Sequence, residues 1–224
     1  MEVLYNKIEE TDADIVRASY KFYYHMENVY KSAKIREIHK INKNTDIERL
    51  YKGYAGAFVW GKIYKNSLLK DNNLFFYEGK TAEDCPFSAL VYLHSKKICF
   101  INDELYFYRK QIESITKNSQ NQVIDAFDNF ITLTKDLMNR KFNTKEIINF
   151  CIDTFIYNIG KIYKNVSSQR QNDLLNSSIN HLQYLKTISK QCGTLYKLKI
   201  KLSLFILEKF KIGGFKFFRI LKNL

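Results

Sequence analysis

The stretch Gly79-Lys80-Thr81-Ala82-Glu83-Asp84-Cys85-Pro86-Phe87 sets two adjacent carboxylates, Glu83 and Asp84, at the expected start of a helix. Thr81 and Asp84 have the spacing of a capping box, and Pro86 is tolerated in a first turn. Phe87, Leu90, Val91 and His94 then recur at helical spacing. A carboxylate in a first turn lies at the positive end of the helix dipole, which favours its ionised form. Held there by backbone donors, it can serve as a general base. Capping alone would use the same residues, so the flanking sequence has to decide between the two readings.

Upstream, residues 2–10 predict a short helix with Leu4 and Ile8 on one side, ended by Thr11-Asp12. Residues 13–20 predict a strand entering a core, although no strand precedes it to serve as a neighbour. From there to residue 44 the chain is polar, basic and aromatic without a clean period, and is read as irregular. Thr45-Asp46-Ile47-Glu48 is a second capping box, opening a short helix through Tyr51. Gly53, Gly56 and Gly61 punctuate an aromatic segment holding the single tryptophan, Trp60. A short helix over 66–70 and an extended segment over 74–77 lead into the acidic helix. Beyond it, 97–101 and 105–109 predict a hairpin turned at Asn102-Asp103-Glu104, and 113–116 closes this α/β part. After residue 119 the period changes. Val123, Phe127, Phe130, Ile131 and Met138 recur every 3.6 residues, as do Ile147, Ile148, Cys151, Phe155, Ile159 and Tyr163. With a third helix over 173–190, they predict a helical subdomain.

The chain has 224 residues, 46% of them hydrophobic, with one proline and eight glycines, a composition that builds a core and argues against disorder. A net charge of +13 points to an anionic partner surface. The four cysteines (Cys85, Cys99, Cys151, Cys192) and four histidines (His25, His39, His94, His181) are dispersed without metal-ligand spacing. The cysteine usage fits a reducing, cytoplasmic setting. The first ten residues carry three glutamates and no apolar core, so no signal peptide is expected, and no apolar run is long enough to span a bilayer. From Leu195 onward, Lys197, Lys199, Lys201, Lys209, Lys211, Lys216, Arg219 and Lys222 alternate with bulky apolar side chains against one acid, Glu208. Such a segment suits an anionic membrane interface; a core helix with a solvated basic face, or an oligomer contact, fits equally. Nucleic acid is not expected as a partner: no recognition motif is present, and the cations lie in an apolar-rich tail instead of a polar stripe.

Three blocks in order carry a resemblance: Trp60-Gly61-Lys62-Ile63-Tyr64-Lys65 with Leu69; Leu74-Phe75-Phe76-Tyr77-Glu78-Gly79 with Glu83-Asp84 and Phe87; and Leu105-Tyr106-Phe107-Tyr108-Arg109 with Ser114-Ile115-Thr116. Together they resemble the back half of a family 2 glycosyltransferase with the GT-A fold, over about residues 1–118. The fold expected is α/β, an incomplete GT-A-like half (1–118), followed by an all-helical subdomain (119–192) and a basic amphipathic tail (193–224).

The resemblance implies an inverting, hexosyltransferase-type enzyme of bacterial surface-polysaccharide synthesis (capsule, lipopolysaccharide or teichoic acid). It would move a sugar from a nucleotide-sugar donor to a glycan or lipid-linked acceptor. Asp84 would be the general base and Glu83 would orient the acceptor. Trp60 would wall the sugar, Lys62 would bind substrate, and Arg109 with Ser114 would close over the diphosphate. Gln111 stands where the family often has a second cation or histidine. The nucleotide-binding strands and the Asp-x-Asp metal site would precede residue 1. Asp12-Ala13-Asp14 spells that motif but follows a helix and begins a strand, whereas the metal motif ends a buried strand. No metal site is therefore assigned, and the divalent cation (Mn or Mg) of the complete enzyme would have its ligands outside this chain. A truncated, cytoplasmic chain, inactive alone and peripheral on the inner face of the membrane through 195–224, is the expectation. The alternative is a non-catalytic module that docks on a membrane or a partner.

Overall fold

A computed structural model describes residues 1–24, 29–33, 47, 56–110 and 120–218. The chain divides into two compact units, one formed by Met1–Glu78 and Asp84–Lys117, the other by Gly79–Glu83 and Asn118–Leu224. The first has a small mixed sheet with helices; the second is helical.

In the first unit, α1 (Glu2–Thr11) buries Leu4 and Ile8, one turn apart, and ends where Asp12 takes a left-handed conformation (φ 50°). Strand β1 (Ile15–Tyr24) is the axis of the sheet. Its neighbours all follow it in sequence. β2 (Val29–Ala33) and β3 (Lys62–Tyr64) pair with it antiparallel at its two ends. β4 (Ile98–Lys110) pairs with it in parallel along its whole length. The first five residues of β1 are all buried, as befits a strand covered on both faces. Val16 and Ala18 pack on Leu4, Ile8, Ala13 and Ile101, while Ile15, Arg17 and Ser19 alternate to the other face. Two short helices follow β3 in sequence: α2 (Asn66–Asp71) and α3 (Asp84–His94). α3 is buried continuously from Pro86 to Leu93, a helix enclosed on all sides.

Several expectations for this unit are corrected. The segment read as irregular continues β1 to Tyr24 and supplies β2. Residues 97–109 form no hairpin but one strand with bulges. Ile101 pairs with Ala18, Glu104 with Ser19 and Tyr106 with Tyr20, so Asn102, Asp103 and Leu105 are the extra residues. The turn-forming pair has become a bulge because β1 offers a parallel edge on which both halves can hydrogen-bond. Thr81 is bonded elsewhere, its amide and Oγ1 both donating to Asp125, at 3.0 and 2.8 Å. The helix at Thr45 (apart from Ile47, which is buried), the 113–116 segment, His25 and His39 lie outside the described residues.

The second unit has α4 (Gln120–Asn139), α5 (Lys145–Asn165), α6 (Ser168–Ile188) and α7 (Thr194–Phe210), with short 3-10 turns after α6 and α7. Its core takes Phe127, Phe130, Leu133 and Leu137 from α4, and Ile148, Cys151, Phe155 and Ile159 from α5. α6 adds Leu182 and Leu185, and α7 adds Ile200 and Leu207. Thr144 caps α5 by accepting from the Ile147 amide. The stretch expected as a separate tail contributes α7 to this same unit. One of its cations, Lys199, is buried and pairs with Asp153 at 2.9 Å. The loop 79–83 also belongs here: Lys80 bonds Asp128 at 2.7 Å, and Asn129 donates to the Thr81 carbonyl.

Candidate active site

On the face of the sheet away from α1, the register places Arg17 of β1 directly opposite Lys62 of β3, and Ile15 opposite Tyr64. Two cations facing each other across a strand pair repel, and both are buried, at 3% and 8% exposure. Lys62 is well satisfied. Its ammonium donates to the Tyr92 hydroxyl at 2.7 Å and to the carbonyls of Gly56 and Phe58. The Tyr92 hydroxyl in turn donates to the Gly56 carbonyl at 2.5 Å. Gly56 sits at φ +66° with the Phe58 ring against it, and a Cβ added there would meet the ring at 2.4 Å. Only glycine lets the backbone turn its carbonyl onto Lys62 and Tyr92 in this way.

Arg17 is not satisfied. Its guanidinium lies 4.8 Å over the Phe58 ring, while Nε and Nη1 have no hydrogen-bond partner among the described residues. Buried donors in this state are costly and rare. Burial lowers the pKa of Arg17 below its ordinary value. Burial, then the charge of Arg17, holds Lys62 well below a free lysine, with Asp84 pulling the other way. The Tyr64 and Tyr92 phenols are pushed up, chiefly by burial, and Asp84 adds to both shifts. One carboxylate thus acts on three of the buried groups.

That carboxylate, Asp84, is half-buried at the first residue of α3. A partly accessible carboxylate at a helix N-terminus, within electrostatic reach of Lys62, Tyr64 and Tyr92, suits proton abstraction from a hydroxyl.

The other expected site residues lie in different surroundings. Glu83, half-buried, immediately precedes α3. Trp60 is stacked on Phe58 at 3.7 Å and on Tyr106 at 4.5 Å, with Tyr20 edge-on at 4.8 Å. Two rings already lie against the indole, which limits its use as an open wall. Arg109 is exposed and alternates in β4 with Tyr106 and Tyr108, the residues that meet Trp60. It therefore points to the opposite face of the sheet. Trp60 and Arg109 are not brought together, and Ser114 and Gln111 lie outside the described residues. Arg17 and Tyr92 were missed in the sequence. The one available signal was a cation at an inward position of an apolar run.

Asp12 and Asp14 do not fit a cation site. Asp12 pairs with Lys65, and Asp14 accepts from the Lys96 and Lys97 amides. Among the described residues no group of three His, Cys, Asp or Glu could hold a metal.

The chain is similar to bacterial glycosyltransferases. It is 32% identical over 149 residues to glycosyltransferase GlyA of Streptococcus pneumoniae, a match covering 61% of this chain and 21% of GlyA. To glycosyltransferase GlyG of the same organism it is 28% identical over 125 residues, 52% of this chain and 41% of GlyG. A 53-residue segment is 42% identical to poly(ribitol-phosphate) beta-N-acetylglucosaminyltransferase TarS of Staphylococcus aureus, covering 23% of this chain and 9% of TarS. In three dimensions, TarS 1–349 in complex with UDP-GlcNAc matches 98% of this chain and 62% of its own, with a TM-score of 0.58 at 14% identity. The chain has part of a glycosyltransferase fold. No family model matches it, and the sequence matches span less than half the length of each of these relatives.

Proposed function

We propose that this chain forms the acceptor side of an inverting glycosyltransferase of bacterial surface-polysaccharide synthesis, with Asp84 as general base. The observation that carries the reading is the half-buried Asp84 at the start of α3, acting on Lys62, Tyr64 and Tyr92 in a chain similar to glycosyltransferases. Asp84 would take the proton of the acceptor hydroxyl as that oxygen attacks the anomeric carbon and the nucleoside diphosphate departs. Glu83 would orient the acceptor. Arg17, through its two unpartnered donors, would bind an anionic oxygen of the substrates beside Lys62. Trp60, inside its aromatic stack, would offer the sugar an edge instead of a face. Arg109 would act on the diphosphate only from the other side of the sheet or after rearrangement, and Ser114 would donate to the same group. The divalent cation implied for the complete enzyme has no fitting donor set among the described residues, so no step is drawn through it here.

The test is a chimera in which this chain replaces the matching part of TarS 1–349, assayed for transfer from radiolabelled UDP-GlcNAc to a ribitol-phosphate polymer. The chimera is expected to form product, the chain alone to form none, and Asp84→Asn to lower turnover by about 10²- to 10⁴-fold. Robust turnover by the chain alone would remove the need for a separate donor side, and full activity in the Asn variant would remove Asp84 from the chemistry.

A second reading rests on α7. Leu195, Leu198, Phe205 and Phe210 are exposed along it, beside the exposed Lys197, Lys201 and Lys209. This face supports peripheral contact with an anionic membrane on the cytoplasmic side, within either an enzyme or a docking module.

A further inference from the structure

A cleft of about 520 Å³ lies in the helical unit, lined by Lys80, Asp128, Ile131, Thr132 and Lys135 on one side and by Ser177, Asn180, His181 and Tyr184 on the other. Asp128, Thr132 and Lys135 on α4, and Ser177, His181 and Tyr184 on α6, each repeat at i, i+4 and i+7, so each helix brings a row of polar side chains to the cleft, with Ile131 as an aliphatic member beside them.

His181 is the unusual member. It is 97% buried, being 3% exposed, yet neither ring nitrogen has a hydrogen-bond partner among the described residues. Its ring packs 4.4 Å from Phe155, and burial, then Lys135, lowers its pKa to about 4. At neutral pH it is an uncharged imidazole, with one nitrogen donating and the other accepting. The two nitrogens point away from each other, so two hydroxyls of a polyol match the pair, one accepting from the N–H and the other donating to the bare nitrogen; a bare oxyanion matches only the N–H.

Charge supplies the second constraint. Lys80 is paired with Asp128 at 2.7 Å, whereas Lys135, exposed at the cleft, adds a positive charge that repels a proton on His181. Ser177, Thr132 and Asn180 add neutral donors and acceptors at the rim. From the unpartnered buried imidazole, the lysine and these side chains, we propose that the cleft binds a hydroxyl-bearing phosphate, a polyol or sugar phosphate, with its hydroxyls on His181 and its phosphate on Lys135. The inference is independent of chemistry at Asp84. A segment of a phosphate-linked polymer and a free sugar phosphate share this chemistry.

The test is direct binding to the whole chain, followed by calorimetry and by the imidazole NMR signals of His181, with ribitol 5-phosphate, ribitol and inorganic phosphate as probes. Ribitol 5-phosphate is expected to shift the His181 signals and to bind at least tenfold more tightly than either half alone. His181→Phe, which keeps the ring against Phe155, is expected to weaken it at least tenfold, and Lys135→Gln severalfold, with circular dichroism unchanged. Tighter binding of a ribitol-phosphate trimer than of the monomer identifies a polymer segment, and equal binding identifies a free sugar phosphate; both support the site. Unmoved His181 signals, or a Phe variant that binds as well as the parent, would make the histidine a core ring only and overturn the proposal.

Discussion

The two buried cations Arg17 and Lys62 differ in how they are satisfied, and the residues around them should respond differently. Tyr92 bridges Lys62 and the Gly56 carbonyl, so Tyr92→Phe leaves a buried carbonyl and an ammonium each short of a partner. The expected loss is about 1–3 kcal/mol in chemical denaturation. His181 makes a pH prediction in the other unit. Its folded pKa of about 4 lies below the ordinary 6.5, so between those values the unfolded chain binds the extra proton. Stability is therefore full above about pH 6.5 and falls as the pH drops towards 4, by about 3 kcal/mol. Lys135 from α4 faces it, the other charged groups of its cleft are Lys80 and Asp128, and Tyr184 is a titratable neighbour on its own helix; from α5 the uncharged Phe155 ring packs against it. The same titration with His181→Phe should lose that slope, and an unchanged slope would assign it elsewhere. At this scale the sequence singled out Asp84 at an expected helix start, and the family resemblance supplied the roles proposed for Asp84 and Lys62. It gave no role to Arg17 or His181, because an unpartnered polar atom exists only relative to the atoms that surround it.

Among the elements, β4 and α7 make the most of short sequence signals that mislead when read locally. In β4, Asn102 and Asp103 are two extra residues and Leu105 a third. Removing the pair 102–103, or Leu105 alone, takes out only residues outside the register with β1 and keeps Tyr106 opposite Tyr20 and Tyr108 opposite Phe22. Because Trp60 is the single tryptophan, its fluorescence reads this directly. Either deletion should leave the emission in place, and a red shift would mean that the bulges themselves hold the rings against Trp60. In α7, Lys199 and Lys201 are two residues apart but not equivalent. Lys199→Ala removes the ammonium from Asp153 and leaves it the Tyr196 hydroxyl, which should cost about 2 kcal/mol, while the exposed Lys201 should cost close to nothing. For membrane contact, Lys197, Lys201 and Lys209 together are worth about 3 kcal/mol on an anionic surface. Replacing all three with Gln should sharply reduce flotation with anionic vesicles, and flotation at the parent level would leave this face without that role. The helical periods were legible because a helix buries one stripe of its own sequence. The partners of β1 were not, because strand pairing is decided by distant edges.

Across the whole molecule, the two units carry separate cores, so their unfolding is expected to be separable. Trp60 fluorescence, which reports the sheet-bearing unit, should give a denaturation midpoint distinct from that of helical circular dichroism, which the four helices of the second unit dominate; coincident curves would mean one cooperative block. The charge of +13 predicts that binding to any polyanionic polymer weakens steeply as salt rises, through screening of exposed cations. By itself the sequence determined the helix positions, the change of character near residue 119 and the carboxylate pair at the start of a buried helix. Each is a local matter, fixed by side-chain period and by the needs of a helix end. Only the tertiary structure decided that β1 is the axis of the sheet, that Arg17 confronts Lys62, that Trp60 is enclosed by other rings, and that His181 is buried without a partner. Those facts depend on register and packing between segments tens of residues apart, where burial turns an ordinary polar side chain into an unmet demand for a ligand.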